Sequence, residues 1–77
     1  MQIVIETTEY RPGGFRADGY LADGGKRPRW LRQLVETSDS AAGAAVLLTY
    51  RIREARQGEA FRFTLGALSA EMSFPDA

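Results

Sequence analysis

Thr37–Gly58, TSDSAAGAAVLLTYRIREARQG, decides how this chain folds, because it is the one stretch with helical character. Ser38-Asp39-Ser40 offers side-chain oxygens to the orphan N–H groups of a helix start, and Asp39 suits the positive end of the helix dipole. Gln57-Gly58 fits a left-handed glycine stop. At about 100° per residue, Ala41, Ala44, Ala45, Leu48, Ile52 and Ala55 fall on one face. Gly43, Val46, Leu47 and Tyr50 make a second apolar stripe about 180° away. A helix lying on one sheet needs only one such stripe. The other is available to a partner, or to a segment of the chain folded over it. The pattern leaves open which stripe meets the sheet.

Alternating runs lie on both sides of this helix. Ile3, Ile5 and Thr7 alternate with Val4, Glu6 and Thr8, a β-branched first strand. Arg11-Pro12-Gly13-Gly14 is a turn, with proline at its first central position and glycine where φ turns positive. Phe15, Ala17, Gly19 and Leu21 alternate with Arg16, Asp18 and Tyr20 in a second strand, and Asp23-Gly24-Gly25 reads as a tight hairpin turn. A third strand is expected over Trp30–Val35, with Pro28 keeping its start at an edge or in a loop. After the helix, Phe61, Phe63 and Leu65 alternate with Arg62 and Thr64, and Leu68 to Phe74 makes a fifth alternating run. The order β-β-β-α-β-β predicts an α+β fold: an antiparallel sheet of four to five strands with a single helix packed on one face. Residues 1–77 form a single compact α+β domain in this reading, with no repeat and no linker.

Composition narrows the chemistry. Histidine and cysteine are absent, which removes Ser-His-Asp and Cys-His catalysis, zinc sites and disulfides. The expectation is a non-enzymatic chain with no catalytic residues, no metal and no cofactor. Ten basic and ten acidic side chains cancel, so no global field favours nucleic acid or membrane. Nine of the ten basic residues are arginine, whose planar fork makes bidentate contacts and stacks on rings. No apolar run approaches the length of a membrane span, and the first residues lack the basic and apolar regions of a signal peptide, so a cytoplasmic protein is expected.

Two sets of residues are candidate partner-binding groups. Val46, Leu47 and Tyr50 belong to the second helix stripe, with Leu47 and Tyr50 as anchors. Arg27, Arg29, Trp30 and Arg32 belong to Lys26-Arg27-Pro28-Arg29-Trp30-Leu31-Arg32, which puts four positive charges and a tryptophan into seven residues. That composition suits a protein contact or a phosphate backbone with a stacked base, and equally a charged edge strand with its tryptophan turned inward. Glu6 near Asp18 or Arg16 across the first hairpin reads as a surface ion pair, and Gly13-Gly14 and Gly24-Gly25 read as turn residues.

Val4-Ile5-Glu6-Thr7-Thr8-Glu9, the Pro12-Gly13-Gly14 turn, the alanine-rich Ser38–Ala45 segment and Phe61 with Phe63 together resemble the small anti-CRISPR proteins of phages and mobile elements. The resemblance is one of architecture and implies a phage protein acting in the host cytoplasm. It also implies an inhibitor that blocks a CRISPR effector complex by protein–protein contact. Gly13-Gly14-Phe15 ahead of a third strand and one helix is also similar to HicB-type antitoxins. That resemblance implies a self-associating module, a homodimer through the helix stripe. The helix here lacks the usual acidic face, and neither resemblance supplies catalytic residues.

Overall fold

The structure, a computed structural model, describes residues 1–66. Strands β1 (Gln2–Arg11) and β2 (Gly14–Leu21) form an antiparallel hairpin. The helix α1 (Arg29–Arg32) is a single turn, followed by β3 (Val35–Ser38), the long helix α2 (Ala41–Ala55) and β4 (Arg62–Leu65). The fold is α+β, with a four-stranded sheet in the order β3-β2-β1-β4 and α2 across one face.

The hairpin turn forms as its residues require. Gly13 has φ +75°, a conformation costly for any residue with a Cβ, and its N–H donates to Glu9 Oε2 at 3.3 Å. The register runs from Ile3 opposite Leu21 to Glu9 opposite Phe15, with a bulge before Arg11 pairs with Gly14. β3 pairs antiparallel with β2, Phe15 opposite Ser38 and Asp18 opposite Val35.

One pairing departs from the expected antiparallel sheet. β4 runs parallel to β1, from Gln2 opposite Arg62 to Ile5 opposite Leu65. The reason is topological: α2 carries the chain back across the sheet, so the strand after it points the same way as β3 and therefore as β1. The expected strand over Leu68–Phe74 lies outside the described residues.

The expected strand Trp30–Val35 is also corrected. Pro28 stands at the start of α1 with φ −65°, and its carbonyl accepts from the N–H groups of Leu31 at 3.1 Å and Arg32 at 3.2 Å. Proline is pre-set for that role, while Trp30, Leu31 and Arg32 carry no β-branch. Extended structure resumes at Val35, where the β-branched residues begin. The Asp23-Gly24-Gly25 turn forms, closed by the Gly24 N–H on Leu21 O at 3.0 Å, but it leads through a loop into α1 and not directly into a strand.

Packing selects the alanine-rich stripe of α2 for the sheet. Ala44, Ala45, Leu48 and Ile52 are fully buried, with Ile3, Ile5, Ala17 and Leu31 completing the core beside Phe61. Five large aliphatic side chains, Ile3, Ile5, Leu31, Leu48 and Ile52, are removed from water, each contributing about 1.5–3 kcal/mol. Gly19 makes room for this: a Cβ there would stand 3.1 Å from Leu31 Cδ1, 3.3 Å from Ile3 Cγ2 and 3.5 Å from Ile52 Cδ1. Ser40 caps the helix by accepting the Gly43 N–H at 2.9 Å.

Candidate protein-binding surfaces

With Leu48 and Ile52 turned to the sheet, the rest of α2 is placed by its period. Leu47 is 42% exposed and Tyr50 55%, so two large apolar side chains one turn apart stand on the outer face. Val46 is half-buried beside them. Gly43, expected in the same stripe, is not part of this surface. A Cβ at Gly43 would fall 2.5 Å from Ser38 Oγ and 2.8 Å from Ser40 Oγ, so the residue closes the helix start onto β3. Thr49, between the two stripes, is buried, and its hydroxyl donates to Val46 O at 2.7 Å.

The charges bordering this face are paired within the molecule. Arg51 Nε lies 3.2 Å from Glu36 Oε2 on β3, and Arg51 Nη1 lies 3.5 Å from Glu54 Oε1. The Arg51–Glu54 pair is solvent-exposed and the Arg51–Glu36 pair is partly so, and both contribute little stability. They leave the outer face of α2 an apolar strip whose margin holds one arginine between two carboxylates.

Arg27, Arg29, Trp30 and Arg32 are dispersed. Arg27 Nη1 donates to Gly19 O at 3.1 Å, and its guanidinium lies 4.3 Å from the centre of the Tyr20 ring. This side chain caps the β2 ladder where β3 stops, since β3 pairs with β2 only as far as Asp18. Trp30 is half-buried and turned toward Phe61, whose ring meets it edge-on at 6.2 Å. Arg29 and Arg32 are exposed on α1. The four residues split between supporting the fold and facing solvent.

Sequence reasoning missed a third grouping. Phe61 stacks on Phe63 at 5.9 Å with 27° between the rings. Arg53 lies 5.1 Å over Phe63, and Arg56 lies 5.1 Å over Trp30. Arg56 Nε also donates to Glu59 Oε1 at 2.8 Å. Two arginines one turn apart at the end of α2 thus cover two aromatic rings by cation–π contact, Phe63 and Trp30, with Phe61 between them in ring contact with both. Their spacing, three residues along a helix and followed by Phe-x-Phe, was the available signal. Arg53 Nη2 is buried here without a hydrogen-bond partner, which makes the cluster part of the packing.

On the sheet face away from α2, Glu6 stands opposite Asp18. Arg16 engages Asp18 through two hydrogen bonds, at 3.0 and 3.1 Å, and these hold the Arg16 guanidinium above its ordinary pKa. The ion pair expected near Glu6 is therefore the Arg16–Asp18 fork along β2. Among the described residues, no group of three or more acidic side chains converges to hold a metal ion, and no helix is long and apolar enough to cross a membrane.

No family model matches the chain, and no curated protein or solved structure matches it.

Proposed function

We propose that this chain is a non-enzymatic inhibitor that works by covering a surface of a larger protein or ribonucleoprotein complex. The observation that carries this reading is the split of α2. Ala44, Ala45, Leu48 and Ile52 of its inner stripe are fully buried against the sheet, while Leu47 and Tyr50 remain exposed on the outer one. Tyrosine and leucine in a partner pocket bury large apolar area, and tyrosine keeps a hydroxyl for a rim hydrogen bond. Because the margin holds one arginine, Arg51, between two carboxylates, Glu36 and Glu54, the face suits an apolar groove and not a phosphate backbone. A CRISPR effector complex is the partner that the architectural resemblance suggests, with the chain acting in the cytoplasm of a host cell.

The test is the double substitution Leu47→Ala, Tyr50→Ala. Retention of effector subunits by the tagged chain should be lost, while circular dichroism and unfolding temperature stay close to those of the parent. Retention equal to the parent's would remove the helix face from the proposal.

A further inference from the structure

The chain holds two Asp-Gly pairs, Asp18-Gly19 and Asp23-Gly24. In a flexible chain such a pair is chemically unstable, because a glycine has no Cβ to shield its nitrogen from the carboxyl of the aspartate before it. The fold treats the two pairs differently. Asp18 lies inside the sheet, paired with Glu6 on one side and Val35 on the other. Both of its side-chain oxygens are taken by Arg16, at 3.0 and 3.1 Å, and its side chain is 13% exposed. Gly19 after it is buried, and its carbonyl holds Arg27. A ring between Asp18 and Gly19 needs the arginine fork broken and the strand twisted out of two ladders.

Asp23 is exposed, in the turn after β2. Its Oδ1 accepts from the Gly25 N–H at 2.7 Å, and a Cβ at Gly25 would stand 2.9 Å from that oxygen and 3.6 Å from Asp23 Cγ. The carboxyl is thus folded forward along the backbone, over the stretch that contains the Gly24 nitrogen. That nitrogen donates to Leu21 O at 3.0 Å, a turn bond at the surface that opens more readily than a strand held between two others.

We propose that Asp23 is a site of self-modification, converting to isoaspartate in the folded chain. The Gly24 nitrogen adds to Asp23 Cγ, the Cγ–OH bond breaks, and the hydroxyl leaves as water with the amide proton. The product is a succinimide ring. Water then adds to the main-chain carbonyl carbon of Asp23, and the bond from that carbon to the Gly24 nitrogen breaks. The backbone now runs through Cγ, one methylene longer, and the former main-chain carbonyl is a free carboxylate. No oxidant, reductant or second protein enters. The Gly25 N–H assists the first step, because it is already aimed at an oxygen on which negative charge gathers as the nitrogen adds. The lengthened turn lies just ahead of Arg27, so the same event slackens the loop that brings Arg27 to Gly19 O. This inference stands on the turn between β2 and α1 and does not depend on the inhibitor reading.

The two pairs serve as each other's control. Trypsin releases both in one peptide, residues 17–26, because Arg16 and Lys26 bound it. A peptidase that cuts before aspartate but not before isoaspartate then reads each position separately. The parent is aged for weeks at physiological temperature and pH, once folded and once in concentrated guanidinium chloride. In the denaturant the two positions should convert at comparable rates. In the folded chain Asp23 should stay within a few-fold of that rate, while Asp18 falls about tenfold or more behind it, since it reacts only through local opening of the sheet. Two outcomes overturn the proposal: Asp18 keeping pace with Asp23 in the folded chain, or folding that suppresses Asp23 as strongly as Asp18.

Discussion

Leu47 and Leu48 are chemically identical neighbours on α2, and the fold assigns them opposite fates. Leu48 is fully buried among the side chains under the helix, while Leu47 is 42% exposed. Truncating Leu48 to alanine removes buried methyl groups and leaves a cavity that Ala44, Ala45 and Ala17 are too small to fill. The expected loss is about 3 kcal/mol, within the range of about 2–5 kcal/mol for buried leucines. A domain of this size has roughly 4–12 kcal/mol in total, so the variant should melt about 10–20 °C lower. Truncating Leu47 forfeits only the transfer of a side chain a little over half shielded, with no enclosed cavity, so about 1 kcal/mol or less is expected. Urea unfolding of both variants beside the parent measures the difference. Equal losses would mean that the helix is rotated from the orientation described, and with it the assignment of the outer face would fall.

Other expectations follow from single contacts. Ser40→Ala removes the acceptor for the Gly43 N–H and should cost about 1 kcal/mol in urea unfolding, with Ser40→Asp restoring the loss. Gly19→Val should destabilise the fold by about 2 kcal/mol or more, because the first added carbon already meets Leu31 and Ile3 at 3.1 and 3.3 Å; a variant as stable as the parent would show that α1 does not pack over β2. Arg27→Ala should expose Gly19 O and lower stability by about 1 kcal/mol, whereas Arg32→Ala, on the exposed side of α1, should be neutral within about 0.5 kcal/mol in the same assay.

Much of this was legible in the residues. The cap at Ser40, the alternation Ile3–Ile5 and the Pro12-Gly13 turn are local signals, and each forms where its chemistry places it. So is the two-stripe character of α2, although the choice between stripes needed the sheet: alanines at 44 and 45 let the helix axis come close to Ala17 and Gly19, which Leu47 and Tyr50 would have prevented. Non-local facts were hidden. The parallel course of β4 depends on where α2 delivers the chain, and alternation is the same in parallel and antiparallel strands. The α1 turn was hidden too, because Trp30 and Leu31 read equally as strand residues until Leu31 finds the space above Gly19. The arginine-rich run misled for a related reason: residues clustered in sequence part in space, with Arg27 over Tyr20 and Trp30 against Phe61.

The central claim is that the outer face of α2 serves to hold a larger complex. The direct measurement is to express the tagged chain in a bacterium with an active CRISPR system and to weigh what is recovered with it. The expected result is effector subunits in stoichiometric amount, lost on substituting Leu47 and Tyr50 with alanine. Recovery of this chain alone, or of effector subunits that remain bound to the double variant, would contradict the claim.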